Sequence, residues 1–336
     1  MAMRFFEQQE EARAQTIRLL MLFALTLMAL VLCVNAALAL TVRLLWYGGG
    51  HGYPAYFFTV NTLMTLLFVL GGWWIESSNL SGGGEKLARR AGARETRPCD
   101  LRSSVGEAEQ KFCNIVNELA IAASIKAPTT MVLDGVSAIN AFACGWDEDD
   151  AVVAVTSGAL EQLTRDELQG LVAHEFSHIR EGDTRLNMRL AGMVFGLEMI
   201  FNLGCTMCER DDDGNLPFLA LPGFAIKATG SLGWLAGRAL KAAVSRQREF
   251  LADARAVQFT RSKDGLGGVL RKVAGQGSGA AMRSFHPSVQ HMLLVDTTDT
   301  AGWFDSHPPL AERIKRIYGR PMPALDSPVA ISRRWR

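Results

Sequence analysis

Two windows of the chain leave little choice of environment. Leu19 to Val42 runs for 24 residues without a charge, between Arg18 and Arg43, and Gly52 to Ile75 is uncharged for another 24, up to Glu76. A helix needs about 20 apolar residues to cross the hydrocarbon core of a bilayer, where every backbone group must be bonded within the segment. Each window meets that length, so the sequence predicts a transmembrane hairpin over 19–75. A secretory signal is the alternative for the first window, but its apolar region is shorter and a second span follows at once. Trp46, Tyr47, Tyr53, Tyr56, Trp73 and Trp74 fall at the span ends, where amphipathic rings favour the membrane–water interface. Arg4, Arg13 and Arg18 precede the hairpin, only Arg43 lies in its connection, and Lys86, Arg89, Arg90, Arg94, Arg97 and Arg102 follow it. Positive charge stays on the cytosolic side, so both ends of the hairpin are expected there.

Outside these windows the chain reads as a folded protein with ample core material, 49% of its residues being hydrophobic. Thirty-five basic against 34 acidic side chains leave a net charge of +1, which offers no broad field to a polyanion and argues against nucleic acid as a partner. Cys33, Cys99, Cys113, Cys144, Cys205 and Cys208 are scattered, with one C-x-x-C between Cys205 and Cys208, so neither a disulfide framework nor a structural zinc site with paired C-x-x-C spacing is indicated.

The organisation follows from composition and periodicity. Residues 1–18 form a cytosolic segment, and 76–105, rich in Gly, Ser and Arg, read as a linker. Over 106–189, apolar residues at helical spacing predict a helix from Glu107 to Ile125. Thr130–Leu133, Ile139–Cys144 and Ala151–Thr156 predict three strands of a small sheet. A helix follows from Ser157 to Leu163. Thr164 with Glu167 three residues on is a capping box that starts another helix. The stretch 190–240 is a second apolar hairpin, made of Leu190–Gly204 with Glu198 and Leu216–Leu240 with Lys227 and Arg238. Transmembrane crossing is the favoured reading, and buried core helices or a re-entrant segment are the rivals. Gly192-x-x-x-Gly196 and Gly233-x-x-x-Gly237 supply small residues for close helix packing in lipid. Residues 241–320 complete the folded domain, and 321–336 read as a mobile tail.

Within the helix after Thr164 stands VAHEFSH. Residues four apart share one helix face, so His174 and His178 present two imidazoles to a single ion and Glu175 lies beside the remaining coordination position. A hydrolytic zinc site also needs a third protein ligand. Glu249, in SRQREFLADA, is the best candidate, and Asp253 one turn later is placed to accept a hydrogen bond from the far nitrogen of His174. Taken alone, that E-x-x-x-D would be a solvated helix face.

The segments HEFSHIREGDTR, SRQREFLADARAVQFT and SHPPLAERI, preceded by an apolar hairpin and by INAFACG, resemble in order and spacing the HtpX-like membrane zinc metallopeptidases, a gluzincin family that also includes the CAAX prenyl endopeptidase. The resemblance implies an α+β, predominantly helical membrane protein with a small sheet. One Zn2+ per chain would be held by His174, His178 and Glu249, with Glu175 as base. It implies that Ile139–Cys144 is an exposed edge strand along which an extended substrate lies, with Asn140, Ala141 and Phe142 flanking the scissile bond, a pairing that main-chain donors and acceptors favour. It places His307 and Arg313 near the developing oxyanion. The structural alternatives are a helix-capping His307 and an Arg313 that braces its helix. His286 and His291 have no assigned part. Cys144 could reach toward the metal or be a buried structural thiol.

The ligands straddle the 190–240 stretch, so it must cross the bilayer an even number of times or not at all for them to meet. The resulting expectation is a multi-pass endopeptidase of the bacterial inner membrane, its site facing the cytosol. It would act on membrane or membrane-proximal polypeptides, with quality control of misfolded proteins implied by the resemblance. A metal-containing scaffold without activity is the alternative, against which stands Glu175, which binds no metal. Nothing in the sequence speaks to oligomeric state.

Overall fold

The structure, a computed structural model, describes residues 2–45, 52–97, 104–210, 220–276, 293–294 and 307–325. In chain order its first elements are α1 (Ala2–Leu45), α2 (Phe57–Leu80), α3 (Gly83–Arg90), β1 (Ala93–Glu95), α4 (Ser104–Ala123), β2 (Thr129–Leu133), β3 (Ala141–Cys144) and β4 (Val152–Thr156). Then follow α5 (Ser157–Gln162), α6 (Arg165–Arg180), α7 (Asp183–Met207), α8 (Ala220–Thr260), α9 (Lys263–Gln276) and α10 (Leu310–Tyr318). The chain divides into two compact units, Met1–Ser78 with Arg189–Leu240 and Asn79–Met188 with Lys241–Arg336.

In the first unit the first apolar window is helical throughout, and the second is helical from Phe57 onward. Ile17–Leu45, Phe57–Leu80 and Asp183–Met207 are long and apolar enough to cross a bilayer, with mean hydropathies of 2.6, 1.5 and 1.5. Among the described residues α8 does not join them: Pro222, Lys227, Arg238 and several glycines dilute its apolar stretch. Yet α8 runs antiparallel along α7, with Gly230 against Phe201, Gly233 against Leu197 and Gly237 against Val194. The two small-residue pairs serve different neighbours: Gly233 and Gly237 face α7, whereas Gly192 and Gly196 face α2, where a Cβ on Gly196 would stand 2.5 Å from the Val69 carbonyl oxygen. Between α1 and α2, the Asn35 amide donates to Thr62 Oγ1 at 3.0 Å. Lys227 lies over the ring of Phe201. The acidic residues 211–213, the histidines 286 and 291 and residues 326–336 lie outside the described residues.

The second unit is built on a four-stranded sheet in the order β1-β2-β4-β3, with β2 and β4 parallel and both outer strands antiparallel to their neighbours. Phe112, Ile115 and Val116 of α4, Leu171 and Phe176 of α6, and Leu266, Val269 and Leu270 of α9 pack with Val132, Val153 and Val155 of the sheet into one core. α6 starts at the expected capping box: the Glu167 amide donates to Thr164 Oγ1 at 3.3 Å, and the Thr164 amide to Glu167 Oε2 at 2.8 Å.

The stretch 76–105 is not the linker its composition suggests. α2 extends to Leu80, α3 follows, and β1 adds a fourth strand beyond the three expected. The glycines here allow contact rather than slack. The Gly84 amide donates to Asp150 Oδ2 at 3.1 Å, and any Cβ at Gly84 would stand 2.7 Å from the carbonyl oxygens of Asp150 and Cys144. Arg94 of β1 closes the join, donating to Glu109 at 2.6 Å and Asp134 at 2.5 Å. Likewise the tail is tied down as far as Leu325, whose amide donates to the Arg271 carbonyl at 2.9 Å while Arg271 Nε donates to that of Pro323 at 2.8 Å.

Candidate metal centre

α6 carries His174, Glu175 and His178 into the interior of the second unit, where His174 is 1% and Glu175 2% exposed. From α8 comes Glu249, 4% exposed. His174 Nε2 and His178 Nε2 lie 3.3 Å apart. Glu249 sets Oε2 at 3.5 Å from the first of these nitrogens and Oε1 at 3.5 Å from the second. A tetrahedral ion with bonds of about 2.0–2.1 Å has ligand–ligand edges of about 3.3–3.4 Å, so each of these separations is close to what one shared ion requires, with one Glu249 oxygen facing each imidazole. The residues thus converge as a metal site requires, and of the described His, Cys, Asp and Glu they are the set that does so.

The electrostatics suit a cation. Burial pushes the Glu249 carboxyl up, but the charges of His307 and Arg313 outweigh it and hold it well below the usual carboxylate range. Burial, then the charge of His174, lower the pKa of His178 below the ordinary imidazole value. His174 too is disfavoured by burial as a cation, yet without an ion its contacts with Asp253 and Glu249 prevail and raise it to about 9. Glu249 Oε2 has no well-formed hydrogen bond among the described residues although buried. A buried carboxylate oxygen left so beside two imidazoles fits a bound ion.

Around these three stand the remaining candidates. Glu175 lines a cavity of about 20 Å³ together with the ligands, Ala143, Leu293, Leu294 and His307, room for one water and not for a peptide. Burial raises its carboxyl above the ordinary range against the lowering effect of His174 and His178. His307 sets Nδ1 3.3 Å from Glu249 Oε2, and neither of its ring nitrogens has a hydrogen-bond partner among the described residues. Asp253 Oδ1 is 3.1 Å from His174 Nδ1, close enough for a charge-assisted contact though off the axis of a well-formed bond.

Arg313, on α10, is fully buried. Its Nε and Nη2 donate to the two oxygens of Asp253 at 2.9 and 2.7 Å, and Nη1 donates to the Leu294 carbonyl at 3.2 Å. These bonds fit the bracing alternative, and the same guanidinium also sets Nη1 3.3 Å from Glu249 Oε2.

One expectation needs correction. β3 is the outer strand of the sheet, but Asn140, Ala141 and Phe142 are buried and not exposed. The Leu294 amide donates to the Ala141 carbonyl at 3.0 Å, so part of the free edge is occupied by a residue far away in sequence. Cys144 is a buried thiol that donates to the Gly84 carbonyl at 3.3 Å, and burial pushes its pKa up, which suits the structural reading. Cys205 and Cys208 are both free thiols.

Sequence reasoning missed Asp183 and Arg248. Asp183 Oδ2 lies 2.9 Å from His178 Nδ1, and its Oδ1 is ion-paired with Arg248. The signal present in the sequence is an aspartate placed just after Gly182, the glycine that follows α6.

Comparison with known proteins places the chain in a family. The family model described as Peptidase family M48 matches residues 107–320, a span that holds all three metal-binding candidates. A protease HtpX homolog of Ligilactobacillus salivarius is 36% identical over 214 residues, covering 61% of this chain and 71% of that protein. One of Syntrophobacter fumaroxidans is 28% identical over 291 residues, covering 83% of this chain and 95% of that protein. Among solved structures, the crystal structure of S. mikatae Ste24p matches with a TM-score of 0.44 and 15% identity, covering 78% of this chain and 63% of that one. From its matched domain and its HtpX-like relatives, the chain belongs to peptidase family M48 and is a membrane metallopeptidase.

Proposed function

We propose that the protein is a zinc endopeptidase in which His174, His178 and Glu249 hold one Zn2+ and Glu175 moves the proton. The observation that carries this is the pair of imidazole nitrogens 3.3 Å apart, each 3.5 Å from one oxygen of Glu249, with Glu175 on the same small cavity. When bound, the ion supplies Lewis acidity and brings the pKa of a coordinated water toward about 7. The chain's own groups do the rest. Glu175, its basicity raised by burial, takes a proton from the attacking water and delivers it to the amine that leaves. His307, with ring nitrogens uncommitted, donates to the oxygen on which negative charge develops. Asp253 and Arg313 hold His174 in place.

The peptide would pair with β3 around Asn140, Ala141 and Phe142. Because Leu294 now bonds Ala141 and closes the cavity with Leu293, binding requires the substrate to take over that edge and the two leucines to give way. The flanking charge pattern supports a bacterial inner membrane setting with the site on the cytosolic side, and membrane or membrane-proximal polypeptides, misfolded ones among them, as substrates. α7 and α8, packed antiparallel over Val194–Phe201 and Gly230–Gly237, are read as a second membrane hairpin, which returns Glu249 to the side of His174.

Replacing Glu175 by Gln tests the reading. Purified in detergent, that variant should keep its zinc and lose cleavage of an unfolded protein such as casein. Equal cleavage by both forms would remove Glu175 from the mechanism.

A further inference from the structure

Beyond the ligands themselves, the geometry points to Asp183 as the residue that positions His178, with Arg248 holding Asp183; this rests on the metal-centre reading above. α6 ends at Arg180, and Gly182, at φ 72°, turns the chain so that α7 can start at once with Asp183. A residue with a side chain is strained at that φ, so a glycine there lets the carboxylate come back under the last turn of α6. Asp183 is 5% exposed. It spends one oxygen on each neighbour, Oδ2 at 2.9 Å from His178 Nδ1 and Oδ1 on the Arg248 guanidinium.

A carboxylate only accepts hydrogen bonds, so the imidazole hydrogen must sit on Nδ1 and the lone pair on Nε2, the atom that faces His174 and Glu249. A flipped His178 ring would lose this bond, so Asp183 selects both the ring orientation and the tautomer that can ligate. The arrangement repeats the one at His174, where Asp253 stands behind the imidazole and Arg313 behind Asp253. Each ligating histidine is thus backed by an aspartate, and each aspartate by an arginine. The His174 arm is drawn from α8 and α10, the His178 arm from the first residue of α7 and from the residue of α8 next to Glu249.

The test uses the full-length chain in detergent, with zinc itself as the probe and a chromophoric chelator as competitor. Asp183→Ala should weaken zinc binding about 10- to 100-fold, the usual effect of losing such a partner. Asp183→Asn, which keeps an acceptor oxygen without the charge, should lose less. With Co2+ in place of zinc, the visible absorption bands should shift in Asp183→Ala, which a merely structural fault would not cause, and peptidase activity lost at limiting zinc should return in excess zinc. Zinc affinity and cobalt spectrum equal to those of the unsubstituted chain in both variants would overturn the proposal. Should Asp183→Ala not fold, Asp183→Asn and Arg248→Met give the same readings. An unsubstituted chain that takes up no zinc, or a His178→Ala chain that binds it as tightly, would instead overturn the metal-centre reading on which this one rests.

Discussion

Arg313 offers the sharpest test of how the centre is held together. It is fully buried, with Asp253 oxygens at 2.7 and 2.9 Å, Glu249 Oε2 at 3.3 Å and the Leu294 carbonyl at 3.2 Å. Arg313→Met keeps most of the volume and removes the charge, leaving two carboxylates that are each 4% exposed without their cation. Breaking a buried pair from one side costs about 3–5 kcal/mol. In a unit of this size each kcal/mol moves the melting temperature by about 2–4 °C, so a fall of about 6–20 °C is expected. Thermal unfolding followed by tryptophan fluorescence in detergent, in the Glu175→Gln background to prevent self-cleavage, reads it. A zinc ion held there would neutralise Glu249 directly, so the loss should be larger without the ion than with it. Adding Asp253→Asn to Arg313→Met should restore part of the loss, because it removes the uncompensated charge. A fall under about 2 °C, or losses of Arg313→Met and Asp253→Asn that simply add, would refute the bracing role.

Other substitutions probe separate parts of the account. His307→Ala should lower kcat by about 10²- to 10³-fold, the usual cost of an oxyanion donor, with zinc content and KM for a peptide little changed; steady-state kinetics and metal analysis check it. Gly196→Leu should loosen the packing of α7 on α2, where even a Cβ would stand 2.5 Å from the Val69 carbonyl, and should lower the detergent melting temperature more than Gly71→Leu, which meets nothing within 4 Å. The Arg94–Glu109 pair gives a pH signature away from the metal. Burial raises Glu109, but the hydrogen bonds from Arg94 and the Arg97 amide outweigh it and hold its carboxyl below the ordinary range. Its contribution is therefore complete above the unfolded pKa of about 4.3 and lost as pH falls through the lower folded value. Glu109→Gln should flatten the acid limb of the melting-temperature profile, and an unchanged limb would show that the pair is not the source.

Much of this was legible because the relevant interactions are local in sequence. The uncharged windows, the capping box at Thr164 and the His174–Glu175–His178 spacing each fall within one helix, where period and chemistry are read directly. Glu249 and Asp253 also sit one turn apart on one helix, a spacing that gains meaning only beside the histidine pair. What could not be read depends on partners far along the chain. The glycines at 82–84 look like a linker until Asp150 closes on Gly84, 66 residues away, and β1 shows itself as a strand only by pairing with Met131–Leu133 of β2. The free edge of β3 appears open until Leu294 arrives from beyond α9 to bond Ala141. Asp183 is local to His178, but its role depends on the left-handed turn at Gly182, a backbone angle that spacing alone does not reveal. The charges of α8 diluted its apolar signal, and its pairing with α7 becomes evident only from the glycines packed between them.

The most direct test of the central claim is zinc X-ray absorption on the purified Glu175→Gln protein, with the metal counted in the same sample. The account expects one zinc per chain, bound by two imidazole nitrogens and by carboxylate oxygen at about 2.0–2.1 Å, with the ion lost on His174→Ala, His178→Ala or Glu249→Ala. A chain that carries no stoichiometric zinc, or one whose zinc shell survives replacement of Glu249, would contradict it.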